Sequence, residues 1–210
     1  MPDSSRPDPS CAVELVAEAE FPTRSGEFRI CGFRASGPAG RQEIVVLRKG
    51  EPAADGAVPL LRIHSQCLTG EVFGSLRCDC GPQLSMSLSR IAESDCGLLI
   101  YDPQEGRGIG LLNKLMAYRL QDEGADTVEA NEKLGFGADE REYDIAVAIL
   151  RWFGVKAVRM LSNNPAKVDA LEREGIRVLE RVQCAPEAGE RALAYLRTKR
   201  DRLGHLVEVD

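Results

Sequence analysis

The sequence predicts a mixed α/β (α+β) fold in a single domain, and three observations carry that prediction. The first third is strand-rich, with apolar and β-branched runs cut by Gly- and Pro-containing turns. Beyond Cys80, short apolar runs alternate with helix-length segments that stop at Gly124, Gly154 and Gly175. A length of 210 residues suits one domain with a substantial core.

Each element follows in order. Met1 to Ser10 holds three prolines and little apolar content, which predicts a disordered tail. Cys11–Phe21 and Glu27–Phe33 read as strands around a turn at Pro22–Gly26. A turn at Gly37–Gly40 leads to a strand at Glu43–Arg48. After a loop at Gly50–Gly56, Val58–His64 is a central strand that feeds a cysteine-bearing loop. Pro82 fits the first turn of a helix whose Leu84, Leu88 and Ile91 share one face. Cys96–Tyr101 is a short strand and Leu111–Glu123 a helix. A loop at Asn131–Arg141 leads into a helix at Asp139–Phe153. A strand at Val155–Leu161, a helix at Pro165–Glu174, a strand at Ile176–Leu179 and a last helix at Glu187–Leu203 complete the chain. The domain is expected to span 11–206, with 207–210 a tail. Ligands of such sheets bind at the strand ends.

Composition excludes some functions. A net charge of −6 and 5% aromatic residues argue against a nucleic-acid surface. No apolar run is long enough to span a membrane, and no apolar signal segment opens the chain. Seven cysteines without a signal do not describe a secreted disulfide framework, so a reducing cytoplasmic compartment is expected.

The cysteine loop is the most specific feature. Arg62 to Cys80 contains Cys67, Cys78 and Cys80, set among glycine, aspartate and arginine. A Cys-x-Cys pair and a third thiol upstream can converge on one metal ion, and zinc is the usual partner of thiolates. No fourth cysteine follows at zinc-finger spacing. Three ligands with an open corner is the arrangement of a catalytic zinc, which keeps a place for water. Cys11, Cys31, Cys96 and Cys184 read as ordinary packed or free thiols. His64 reads as a packing residue beside the metal rather than a ligand.

Three further loops carry polar groups of one kind. In Gln104–Gly110 the glycines let backbone approach a ligand, Arg107 suits a phosphate, and Glu105 could accept from the donor edge of a purine. A plain glycine turn is the alternative. Ser162-Asn163-Asn164-Pro165 opens a helix with Lys167 in its first turn, a place where a cation wants an anion beside it. An ordinary capped helix with a solvated lysine is the alternative there. Asp139 and Arg141 stand where a glycine-rich loop enters a helix. Asp139 suits either an N-cap or a proton acceptor beside a phosphate-facing guanidinium.

These motifs, taken together, resemble GTP cyclohydrolase II. The resemblance rests on His64-Ser-Gln-Cys-Leu-Thr-Gly-Glu-Val-Phe-Gly-Ser-Leu-Arg-Cys-Asp-Cys-Gly81, Gln104-Glu-Gly-Arg-Gly-Ile-Gly-Leu111, Asp126-Thr-Val-Glu-Ala-Asn131 with Leu134-Gly-Phe-Gly-Ala-Asp-Glu-Arg141, and Ser162-Asn-Asn-Pro165. It runs in order from about Phe21 to Leu206. It implies a zinc enzyme that opens the imidazole ring of GTP and releases formate and pyrophosphate. The remaining product would be 2,5-diamino-6-ribosylamino-4(3H)-pyrimidinone 5′-phosphate, the first step toward riboflavin. Cys67, Cys78 and Cys80 would hold the zinc, and magnesium would accompany the triphosphate. Asp139 would accept a proton, Arg141 would act at the phosphate, and Tyr118 would assist ring opening. Substrate contacts would fall on Arg62, Ile63, His64, Ser65, Gln66, Gln83, Glu105, Gly106, Arg107, Thr127, Ser162 and Lys167. A homodimer is implied.

The chain departs from the family pattern at Gln66, where many members have Glu, and at Ser162, where Thr is common. Its segment from Gln183 to Ala194 is shorter than usual. The butanone-phosphate synthase domain that some relatives carry at the N-terminus is expected to be absent. A paralogue that keeps the formyl group or serves a secondary pathway is one other reading, and a non-catalytic zinc module that binds nucleotide is another. The retained Tyr118, Asp139 and Arg141 favour the enzyme.

Overall fold

A computed structural model describes residues 11–37, 40–186, 197–198, 200–202, 204 and 206. The expected tails, the middle of the Gly37–Gly40 turn and most of the expected last helix lie outside those residues. The described part of that helix, 197–198 and 200–202, is helical.

The strand-rich first third is an antiparallel meander of β1 (Ala12–Thr23), β2 (Gly26–Gly37) and β3 (Gly40–Lys49). β3 pairs antiparallel with β5 (Gly97–Asp102). From there the sheet is parallel through β4 (Leu60–Ser65), β6 (Ala157–Leu161) and β7 (Arg177–Val182). The strand order among the described residues is β1-β2-β3-β5-β4-β6-β7.

The helices are α1 (Leu68–Glu71), α2 (Cys80–Glu93), α3 (Leu111–Asp122), α4 (Thr127–Lys133), α5 (Asp144–Trp152) and α6 (Pro165–Arg173), with a 3-10 turn at Glu105–Gly108. No described helix is long and apolar enough to cross a membrane.

The central strands are buried on both faces, as parallel strands between helices must be. Leu61, Ile63, Leu98 and Ile100 point to one side, where Val147, Ile149 and Leu150 of α5 and Leu171 of α6 complete a large core. Leu60 and Leu99 point to the other, against Ile91 of α2, with Leu84 and Leu88 on the same helix face. Alternation along the strands therefore divides one sheet between two cores.

The expected elements stand within a few residues of their forecast ends except in three places. The helix forecast from Asp139 begins at Asp144. Residues before it are pinned instead to the 104–110 loop: Glu140 N donates to Arg107 O (3.0 Å), and Gln104 exchanges hydrogen bonds with both backbone groups of Glu142. Asp139 is thus not the cap of that helix. The second difference is α4, in a stretch forecast partly as loop. It is set by a capping box in which Asp126 accepts from Val128 N and Glu129 N while Glu129 reaches back to Asp126 N. The third is α1, a single turn inside the cysteine loop.

Leu150 is fully buried between α5 and the sheet. Leu150→Ala is expected to lower the unfolding free energy by about 3 kcal/mol, read by urea titration. A loss under about 1 kcal/mol would contradict this packing.

Candidate active site

Three adjacent parallel strands, in the order β5-β4-β6, end side by side and supply the site. β4 runs into Ser65, Gln66 and Cys67; β5 runs into the Gln104–Arg107 loop; β6 runs into Ser162, Asn163 and Asn164. Gln66 N donates to Asp102 O at 2.8 Å, which holds the first two exits together.

The sulfur atoms of Cys67, Cys78 and Cys80 all lie within 4.8 Å of one another, and Cys67 and Cys78 are 3.6 Å apart. Tetrahedral zinc with Zn–S near 2.3 Å puts its sulfurs about 3.8 Å apart, so this donor set fits such an ion. Gly70 is required for the cradle. A Cβ there would stand 2.8 Å from Cys78 Sγ and 3.3 Å from Cys67 Sγ.

The cradle forms one wall of a cavity of about 460 Å³. Ser65, Gln66, Glu105, Gly106, Arg107, Tyr118, Thr127 and Arg141 line it with the three cysteines. Arg62, His64, Gln83, Ser162 and Lys167 line an adjoining recess of about 70 Å³, which shares Ser65, Cys80, Arg107 and Arg141 with the cavity. Ile63 is different: its side chain is in the core, and its carbonyl accepts from Lys167 Nζ at 2.9 Å. Asp139 lines neither space but forms a two-pronged ion pair with Arg141, through Nε at 2.7 Å and through Nη2. Arg141 Nη1 also reaches Ser65 Oγ at 3.4 Å.

Glu105 is buried and works inward. Its carboxylate accepts from Lys114 Nζ (2.7 Å), Gly106 N (3.0 Å) and Leu68 N (2.7 Å). Arg107 sits at φ 62°, a left-handed conformation that a non-glycine residue adopts at a cost of about 1 kcal/mol or more. The turn aims its guanidinium at the shared mouth of the two spaces.

Electrostatics divide the site. Hydrogen bonds from Cys78 and Cys80 hold the Cys67 thiol far below its ordinary value despite its burial, and the Lys114 ammonium, 3.1 Å from Cys67 Sγ, adds to this. Burial opposes ionisation of Asp139, but the Arg141 guanidinium outweighs it and keeps the carboxyl below the usual range. Burial raises Tyr118, whose hydroxyl lies 3.3 Å from Thr69 Oγ1, so it is a donor at neutral pH. Burial pushes Lys167 well below its ordinary value, and Arg141 and Arg62 push the same way. The buried Arg62 Nε and Asn164 Nδ2 have no hydrogen-bond partner among the described residues.

Sequence reasoning missed Lys114, Glu71 and Thr69. Lys114 stands four residues before Tyr118 on α3, so one helical face carries both, a spacing visible in the sequence. Glu71 and Thr69 each contact the nearby Cys67, but their other partners come from β4, β5 and α3, which the sequence does not place beside them.

Comparison with known proteins decides the family. The family model for GTP cyclohydrolase II matches residues 14–183.

The chain belongs to the GTP cyclohydrolase II family.

The riboflavin biosynthesis protein RibBA of Mycobacterium tuberculosis is 51% identical over 197 residues, which are 92% of this chain and 46% of that protein. RibBA of Rhodococcus jostii is 50% identical over 197 residues, 92% of this chain and 47% of that protein. RibBA of Salinispora arenicola is 51% identical over 199 residues, 94% and 47%. The chain spans about half the length of the curated relatives it matches. The crystal structure of RibBX, a two-domain 3,4-dihydroxy-2-butanone 4-phosphate synthase from A. baumannii, covers 82% of this chain and 40% of its own at a TM-score of 0.44 and 20% identity. That likeness is too loose to carry an argument.

Two outcomes follow from the site's geometry. Gly70→Ala is expected to fold with unchanged far-UV circular dichroism and, after loading with zinc and dialysis, to retain far less metal per chain than the unsubstituted protein. Zinc at the level of the unsubstituted protein would contradict the close approach at Gly70. The second concerns His64, which burial lowers to about 4 against the pull of Glu71. Its unfolded value is near 6.5, so the unfolded chain takes up the proton first. The stability due to neutral His64 is full above pH about 6.5 and falls by about 3 kcal/mol as pH drops toward 4. His64→Gln is expected to flatten that part of the stability–pH curve. Parallel curves for the two proteins would contradict it.

Proposed function

We propose that this chain opens the imidazole ring of GTP, giving formate, pyrophosphate and 2,5-diamino-6-ribosylamino-4(3H)-pyrimidinone 5′-phosphate. The observation that carries this reading is a metal-ready thiol cradle in the wall of a nucleotide-sized cavity that leads into a cation-lined recess. When bound, zinc would supply Lewis acidity and an activated water for the two hydrolyses at carbon 8 of the purine.

The chain's own groups divide the remaining work. Arg62, Arg107, Arg141 and Lys167 surround the recess and suit the triphosphate, whose charge would also draw magnesium. Arg62 Nε and Asn164 Nδ2, which have no hydrogen-bond partner among the described residues, are further donors for an anion. Ser162 adds a hydroxyl there, whereas the first N–H groups of α6 are taken up by its cap, Ala166 N by Asn164 Oδ1 and Lys167 N by Asn164 O. Asp139, held ionised by Arg141, is suited to accept a proton. Arg141 stays charged and stabilises negative charge at the phosphate.

Tyr118, held protonated beside the cradle, is suited to donate a hydrogen bond to a ring nitrogen as the ring opens. Gln66 and Thr127 present uncharged polar groups to the purine from opposite elements. Glu105 shapes the loop that receives it. Residues of the cavity and recess fold as one chain, and a homodimer is the assembly we assign.

The test is the product mass after incubation of the zinc-loaded protein with GTP and magnesium. The diaminopyrimidine monophosphate with equimolar formate is expected. A product heavier by one formyl group would shift the reading to a formyl-retaining paralogue. Unchanged GTP with zinc still bound would overturn the enzyme. Tyr118→Phe is expected to lower kcat by a hundredfold or more with a much smaller change in KM.

A further inference from the structure

We propose that Glu71 is a positioning residue for the metal-binding cysteines. It heads a buried hydrogen-bond chain that fixes both halves of the thiol cradle to one frame. The inference rests on reading that cradle as a metal site, and it concerns residues that lie behind the sulfurs.

Cys67 begins α1, a turn of four residues, too short to hold itself in place. As N-cap, Cys67 makes no side-chain capping bond, because its sulfur belongs to the cradle. The last residue of the same turn instead serves the N–H of Cys67 itself. Glu71 folds back so that Oε1 accepts from Cys67 N at 2.7 Å. The same carboxylate accepts from His64 Nε2 on β4 (Oε1, 2.9 Å) and from Tyr101 Oη on β5 (Oε2, 2.6 Å). One buried group thereby ties the first metal cysteine to two neighbouring strands of the rigid sheet.

The direction of every link is determined. A carboxylate only accepts, so the proton of the neutral His64 ring sits on Nε2. Nδ1 is then an acceptor and faces the Arg62 Nη2 donor at 3.4 Å. The same Nη2 donates to Gln83 Oε1 at 2.8 Å, which leaves the Gln83 amide nitrogen to donate to Asp79 Oδ2 at 2.5 Å. Asp79 lies between Cys78 and Cys80. The chain Cys67–Glu71–His64–Arg62–Gln83–Asp79 therefore joins the two sequence-distant halves of the cradle from behind. Glu71 is its only carboxylate in contact with the Cys67 half. Burial would raise its pKa, and the bonds from His64 and Tyr101 outweigh burial and keep it ionised.

Glu71→Gln tests this, because glutamine keeps the shape but turns one acceptor into a donor. The probe is cobalt(II) added to metal-free protein. The unsubstituted chain is expected to show the visible bands of tetrahedral cobalt–thiolate coordination. In Glu71→Gln, with unchanged far-UV circular dichroism, those bands are expected to shift and weaken, with cobalt bound about tenfold less tightly. Tyr101→Phe, which removes one donor and leaves the carboxylate, is expected to show a smaller shift in the same direction, and it decides the matter if Glu71→Gln does not fold. Bands and affinity equal to the unsubstituted chain in the folded variants would overturn the positioning role. Absence of cobalt–thiolate bands in the unsubstituted chain would instead overturn the metal site itself.

Discussion

Three thiols held within 4.8 Å of one another are the constraint on which the rest of this structure depends. Ionised sulfurs at that spacing repel, and neutral ones have little use for it. The chain meets the constraint with Gly70 at the floor, a lysine against Cys67, and a hydrogen-bonded frame behind. That frame is anchored to β4 and β5, whose adjacent ends also deliver loops that line the cavity. Parallel pairing of these strands makes the site possible, because it puts their exits on one edge.

The same edge separates charge by function. Thiols and Glu105 with Lys114 occupy one side; Arg107, Arg141, Arg62 and Lys167 gather on the other. Burial beside a recess of about 70 Å³ strips Lys167 of hydration, and Arg141 and Arg62 repel its charge, which together drive it below its ordinary range. A polyanion relieves that repulsion. The strained turn at Arg107, and an Arg62 Nε without a partner among the described residues, are consistent with a site built for a ligand rather than for stability alone.

Much of this was legible in the sequence, and the remainder has identifiable causes. The strands were visible because apolar runs and β-branched residues mark a sheet buried on both faces. The three cysteines were visible because Cys-x-Cys in a polar glycine-rich loop is poor core material. The helix start was placed too early, at Asp139, because the bonds that pin Glu140 and Glu142 outside the helix come from Arg107 and Gln104, more than thirty residues away. The α4 helix had a local signature, Asp126 with Glu129, that the surrounding polar residues obscured. Glu71, a lone acid after Cys67, gave no signal at all. Its meaning lies in His64 and Tyr101, which only the parallel register of β4 and β5 brings together.

Zinc K-edge X-ray absorption of the purified, zinc-loaded protein reads the coordination of the cradle directly. Three sulfur neighbours at about 2.3 Å and one lighter atom at about 2.0–2.1 Å are expected. A shell of four sulfurs would make the centre closed and structural, and a shell without sulfur would remove the cradle from the chemistry altogether.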